Sequence, residues 1–140
     1  MNYVKAVGVG VLLNIVLSAL QAQFVTSSET SEMITQFMQT SPSWVIAIFY
    51  VATILIVPLF EEAVFRGGLW KLFAHFTNDK VAAVVVAIGF ALLHSWEAAF
   101  FLLPFSVYLS YLRYNHGNIW LGVVAHIGFN SAGLLFPRLL

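Results

Sequence analysis

Five apolar runs, near residues 4–23, 43–60, 81–95, 98–113 and 118–136, follow one another along the chain, and no polar stretch between them is long enough to build a separate core. Crossing a bilayer as α-helix takes roughly 20 apolar residues. The runs approach that length, and those that fall short imply helices that are tilted or shielded by neighbours. A transmembrane barrel would need period-2 alternation, which the runs lack, and an open sheet would leave backbone groups unpaired in lipid. The expected fold is therefore all-α, a polytopic membrane bundle of about five to six helices forming one domain over residues 1–140.

Composition agrees, since 61% of the residues are hydrophobic and 9% charged, against about 45–50% and about 25% in soluble domains. A formal net charge of zero offers no electrostatic footprint for nucleic acid. With no cysteine there is no disulfide framework, thiolate metal site or cysteine nucleophile. Lys5 followed by the apolar run 7–20 has the outline of a signal peptide, but Leu20-Gln21-Ala22 fits a cleavage site at only one of two positions, so a retained first helix is expected. Lys5, the stretch 71–80 and Arg113 fall at alternate ends of successive runs, which predicts a multi-pass plasma-membrane protein with a cytoplasmic N-terminus and Arg138 as an exception. The Ser/Thr-rich stretch 26–42, without Lys or Arg, reads as an external loop. Trp44, Trp70, Trp96 and Trp120 read as interface anchors.

Polar groups inside the runs carry the functional signal, because a charge in a membrane helix costs about 2.5–3.5 kcal/mol on insertion scales. Glu61 and Glu62 point about 100° apart on a helix, which assigns them different tasks. Glu62 stands four residues before Arg66, the favourable order for a helical ion pair, which leaves Glu61 without a local partner. Pro58 is expected to kink this helix, and Gly67-Gly68 to bend or end it. His94 closes the third run one turn after Phe90, and the small residues Ala83, Ala87 and Ala91 should turn that face, with His94, into the bundle. In the last run His126 and Asn130 share a face. A carboxylate, two imidazoles and an amide are the parts needed to activate water beside a polarised carbonyl. The bland alternatives are a solvated helix end at Glu61-Glu62, a packing histidine, and a structural hydrogen bond between helices.

These residues also form ordered motifs. Glu61-Glu62-Ala63-Val64-Phe65-Arg66, Phe90-Ala91-Leu92-Leu93-His94 and His126-Ile127-Gly128-Phe129-Asn130 follow in that order, with Asn115-His116-Gly117-Asn118 turning into the last. In this the chain resembles the CAAX protease and bacteriocin-processing family of intramembrane proteases, which includes the type II prenyl endopeptidases. The resemblance covers about residues 51–135 and describes a minimal core of that fold, with fewer helices than is usual in the family. It implies a catalytic role for Glu61, in agreement with Glu62 being engaged by Arg66, and a hydrolytic site of Glu61, His94, His126 and Asn130 supported by Glu62, Arg66 and Phe90.

The expected mechanism has Glu61 as general base and His94 holding the attacking water, with His126 and Asn130 donating to the oxyanion. Glu61, His94 and His126 also match a two-histidine, one-carboxylate zinc site. No cofactor is required on the favoured reading, and zinc is the alternative. The expected partners are the lipid bilayer and a membrane-associated peptide, either lipidated or hydrophobic, and a homo-oligomer would compensate for the short scaffold. The competing functions are a non-catalytic binding or bacteriocin-immunity protein on the same fold and, behind it, a small ion or proton carrier.

Overall fold

A computed structural model of the chain describes residues 1–24 and 29–135. The described residues form six helices and no strand: α1 (Tyr3–Gln21), α2 (Glu29–Thr40), α3 (Ser43–Phe76), α4 (Asp79–Leu92), α5 (Trp96–His116) and α6 (Ile119–Leu135). Five of them carry the five apolar runs. α1 and α3 are long and apolar enough to cross a membrane. At 34 residues, α3 extends about 50 Å at 1.5 Å per residue. Its outward residues Ile48, Val51, Leu55, Phe60 and Val64 are exposed, an outer surface suited to hydrocarbon rather than to water.

The stretch expected to be an external loop is for the most part α2. Residues 25–28 lie outside the described part, as does Arg138. Met33, Ile34, Phe37 and Met38 repeat at helical spacing and give this helix one apolar face. Phe37 packs on Phe49 with ring centroids 5.3 Å apart, so α2 leans back against the start of α3. Its polar Ser and Thr content disguised an amphipathic helix as a loop.

The glycine pair does not end the third helix either. α3 continues through two π-helical turns, Ala52–Ile56 and Ala63–Leu69, and the second absorbs Gly67 and Gly68 within the helix. Because α3 runs on, Trp70 is not a surface anchor but a core residue, 2% exposed, whose indole N–H donates to Asp79 at 2.8 Å. Trp44 and Trp120 are exposed as interface anchors should be, and the Trp96 side chain lies outside the described part.

Helix boundaries follow local capping. Asn78 accepts from the backbone N–H groups of Lys80 and Val81 and opens α4, and Ser95 accepts from Ala98 N–H to open α5. Asn118 accepts from Trp120 N–H and opens α6. The Asn118 amide also donates to the Tyr3 hydroxyl at 3.3 Å, which sets the start of α1 beside the turn between α5 and α6. Arg113 lies over the Trp70 ring at 5.5 Å. Lys5, Lys71, Lys80 and Arg113 therefore gather toward one end of the bundle.

The most extensive helix pair is α1 with α6. A Cβ on Gly10 would overlap the Ala125 carbonyl oxygen, and one on Gly128 would reach within 2.7 Å of the Val7 carbonyl oxygen. Small residues are what permit two backbones to approach this closely in a bilayer. That contact clamps α6, and with it His126, from the side opposite α3.

Candidate active site

Both glutamates lie in the middle of α3, where the helix passes α6. Glu62 and Arg66 are 0% exposed and form the expected ion pair, Nη1 to Oε1 at 3.0 Å. Arg66 is held from two further sides. Its Nη2 donates to the Ser106 hydroxyl at 2.7 Å and to the Ser106 carbonyl at 3.1 Å, and its guanidinium lies 4.6 Å from the Phe90 ring centre. A dry guanidinium needs acceptors for its fork of donors; α5 supplies two for Nη2, while Nε has no partner among the described residues.

Carboxylate Glu62 also reaches across to α6, where its Oε1 is 3.3 Å from His126 Nδ1. The other ring nitrogen of His126 faces Glu61, with Nε2 to Oε2 at 3.5 Å. The imidazole thus sits between the two glutamates, one on each nitrogen. The Glu62 carboxylate, paired with Arg66, only accepts hydrogen bonds, so it fixes the Nδ1–H tautomer and turns Nε2 toward Glu61. Gly122 makes this possible, because a Cβ there would stand 2.6 Å from Glu62 Oε2. Phe105 closes the other side of the ring, its centroid 5.3 Å from that of His126.

The two carboxylates differ in access, which separates their tasks. The Glu61 side chain is 29% exposed, whereas that of Glu62 is 0% exposed. Only Glu61 can meet a water or a substrate. Glu62 is confined to orienting His126 and balancing Arg66.

His94 departs from its expected place. α4 ends at Leu92, the chain turns through Leu93 and Ser95, and His94 stands exposed in that turn rather than inside the helix. Early termination follows from Ser95 capping the next helix, which leaves no room for α4 to continue. Phe90 and Ala91 turn inward as the small-residue face predicts, but His94 does not follow them into the interior. Its Nδ1 lies 3.1 Å from the Phe90 carbonyl, an acceptor, so Nδ1 carries the proton and Nε2 is free to accept. The Phe90 ring stands between the two histidines, 5.2 Å from His94 and 5.7 Å from His126. Among the described residues no three His, Asp or Glu side chains are grouped to hold a metal ion. Glu61, His94 and His126 do not fit a zinc site in this arrangement, and no step below runs through one.

Asn130 also has a definite partner, its amide donating to the Thr53 carbonyl of α3 at 2.9 Å. Why that carbonyl needs a donor can be read from the backbone. In the π-helical turn the Val57 N–H bonds to the Ala52 carbonyl, five residues back. By the same step Thr53 would be served by residue 58, which is Pro58 and has no N–H. Asn130 replaces the missing donor and fastens α6 to α3 one turn beyond His126. In the sequence Pro58 reads only as a kink, and Asn130 as an oxyanion donor with a structural hydrogen bond between helices as the bland alternative.

This yields a test that separates the two tasks of Asn130. Pro58→Ala restores a backbone N–H, so Asn130→Ala should cost about 1–3 kcal/mol in the parent, as an unmade buried hydrogen bond does, and clearly less in the Pro58→Ala background. Thermal melting of the four variants in detergent measures it. If cleavage stays reduced by about 10²–10³-fold when the stability is recovered, the second amide hydrogen serves the oxyanion. If cleavage recovers with stability, Asn130 only fastens the helices.

The chain is 26% identical over 135 residues to the UPF0177 protein YbdI of Lactococcus lactis subsp. lactis (strain IL1403), covering 91% of this chain and 71% of that protein. It is 29% identical over 84 residues to a UPF0177 protein in the abiGi 5′ region of Lactococcus lactis subsp. cremoris, and equally to UPF0177 protein YaiH of strain IL1403. Those matches cover 59% of this chain but only 35% and 34% of the two relatives, so the chain spans about a third of their length. No solved structure matches it. The family model described as type II CAAX prenyl endopeptidase Rce1-like matches residues 42–132, which contain Glu61, Glu62, Arg66, Phe90, His94, His126 and Asn130. With that match over most of its length, the chain belongs to the Rce1-like family and is a membrane protein.

Proposed function

We propose that the chain is an intramembrane endopeptidase that hydrolyses a peptide bond in a membrane-associated substrate, either a hydrophobic or a lipidated peptide. The observation that carries this reading is His126 suspended between a dry glutamate and an accessible one. Such a pair gives one imidazole a fixed tautomer through Glu62 and leaves Glu61 able to take the proton of an attacking water. His126 then serves as donor to the carbonyl oxygen from Nε2, once the proton that Glu61 takes from the water has passed across the 3.5 Å to that nitrogen, with Asn130 one turn away. His94 Nε2, free to accept a proton, would hold the water from the opposite side of Phe90 once substrate draws the α4–α5 turn inward. The reading also takes the chain as multi-pass, with the end that carries Lys5, Lys71, Lys80 and Arg113 in the cytoplasm.

Cleavage of hydrophobic and prenylated peptides by purified protein in proteoliposomes, with and without a chelator, tests the proposal. Cleavage that survives chelation is the expected result. Loss of activity on chelation with recovery on added zinc would replace the metal-free mechanism. No cleavage of any peptide by folded protein would favour the second reading, a binding or immunity protein on the same fold, which the lack of contact between His94 and Glu61 supports.

A further inference from the structure

By its place in the last turn of α5, Arg113 is one of the basic residues gathered at the cytoplasmic end, with its guanidinium over the Trp70 ring. A surface charge has no need of the further bond that it makes. Its Nε donates to the main-chain carbonyl of Arg66, on α3, at 3.1 Å. A carbonyl inside a helix ordinarily has its donor in the same helix, so this bond marks a gap in the hydrogen bonding of α3.

The second π-helical turn creates the gap. A π turn bonds each N–H to the carbonyl five residues back, and an α-helix to the one four back. Where the longer step gives way to the shorter, one carbonyl is passed over. Trp70 N–H bonds to the Phe65 carbonyl, and from Trp70 to Phe76 the helix is α again. The next carbonyl after Phe65 belongs to Arg66, and Arg113 meets it. The first π turn is served in the same way: Val57 N–H bonds to Ala52, the next carbonyl is that of Thr53, and Asn130 donates to it at 2.9 Å. The stretch of α3 that carries Glu61 and Glu62 is thus fastened by α6 at one end and by α5 at the other.

The fastening by α5 reaches the site through Arg66. Ser106 and Arg113 are seven residues apart, about 10 Å along α5. One holds the Arg66 guanidinium and the other its carbonyl. With both ends of that residue fixed, Nη1 meets Glu62 Oε1 at 3.0 Å, and the same oxygen meets His126 Nδ1 at 3.3 Å.

We propose that Arg113 is a positioning residue of the Glu61–His126 site: its bond to the Arg66 carbonyl holds the second π turn and, through Arg66 and Glu62, keeps His126 in the Nδ1–H tautomer. Its effect on cleavage rests on the endopeptidase reading, whereas its effect on His126 does not.

Glutamine and methionine at this position separate the bond from the charge. Both are neutral and both lose the guanidinium over Trp70. Glutamine keeps an N–H the same number of bonds from the backbone as the arginine Nε, where methionine has a methyl group. Arg113 is half-buried near a helix end, so both variants should fold. Nitrogen NMR of full-length protein with isotope-labelled histidine, in detergent without substrate, reads the tautomer, the His126 signals being those lost in His126→Gln. Arg113→Gln should keep the Nδ1–H form of the parent, and Arg113→Met should show a mixture of the two tautomers. Trp70→Phe, which removes the bond to Asp79 at the same end of the bundle, should lower the melting temperature and leave the His126 signals unchanged. In proteoliposomes Arg113→Met should lower kcat by about 10–10²-fold, the effect of a small displacement of catalytic groups, with KM little changed, and Arg113→Gln should recover most of it.

Parental His126 signals in Arg113→Met would overturn the proposal and leave Arg113 a cytoplasmic charge. Mixed tautomers in Arg113→Gln would overturn it in favour of the charge or the Trp70 contact, and mixed tautomers in Trp70→Phe would mean that the signals only follow stability. If the parent protein cleaves no peptide, the endopeptidase reading fails, while the His126 signals still decide the role of Arg113.

Discussion

Glu61→Gln is expected to give a folded protein whose cleavage of a defined membrane peptide falls by about 10²–10⁴-fold, the usual contribution of a general base. Glutamine keeps the volume and the hydrogen-bonding reach of glutamate but does not take a proton from water. The substitution changes only the 3.5 Å approach of the Glu61 carboxylate to His126 Nε2, a long contact at a partly exposed side chain, so its cost in stability should be under about 1 kcal/mol. Activity and stability therefore separate. Glu62→Gln should behave differently, because that carboxylate is 0% exposed and serves both Arg66 and His126; melting temperature and turnover should fall together. Single-turnover cleavage in proteoliposomes beside thermal melting distinguishes the two. Near-normal turnover by Glu61→Gln would make water activation by this residue wrong and raise the binding reading to first place.

The length and succession of the apolar runs carried most of the fold, and they did so because the membrane admits few solutions. With every backbone group to be satisfied internally, an apolar run has little choice but to become a helix, and five runs became five of the six helices. α2 escaped because its apolar face is narrow and set in Ser, Thr and Gln, so average polarity concealed the spacing of Met33, Ile34, Phe37 and Met38. Trp70 escaped for the opposite reason, since the glycine pair before it suggested a helix end and so an interface.

At the site, spacing within one helix was legible: Glu62 to Arg66 forms a 3.0 Å pair, and His126 and Asn130 share a face toward α3. Contacts between helices were not, because sequence holds no register between them. Ser106 gave only a faint signal, a small polar residue two positions after Pro104 in an apolar helix, yet it holds two bonds to Arg66. The Asn130 bond to Thr53 was in principle deducible, since a proline inside a helix always leaves some carbonyl without its donor. What could not be deduced was that α6 stands close enough to supply one. His94 was placed in the helix because its motif partner Phe90 is helical, whereas α4 ends at Leu92 and Ser95, a residue outside the motif, already caps α5.

Arg66→Ala is expected to produce the largest loss of stability, about 3–5 kcal/mol, the cost of breaking a buried ion pair by removing one partner. The reason lies less in the attraction lost than in the carboxylate left behind. Glu62 is 0% exposed, its Oε2 already lacks a hydrogen-bond partner among the described residues, and after the substitution its one remaining hydrogen-bond partner among them would be His126. Arg66 also fills space between Phe90 and Ser106, so truncation opens a cavity and strands the Ser106 hydroxyl. Three helices lose a common contact at once. Folded yield and thermal melting in detergent should both drop steeply, and Arg66→Lys should recover only part, since an ammonium cannot serve Glu62 and Ser106 with a fixed fork of donors. The diagnostic variant is Glu62→Gln/Arg66→Ala. Removing the stranded charge as well should make the double variant more stable than Arg66→Ala alone, although a salt bridge has been deleted in both. A double variant as unstable as the sum of the two single ones would mean that the pair does not act as a unit. Wild-type melting of Arg66→Ala with complete loss of cleavage would instead move Arg66 from the support of the site into the reaction.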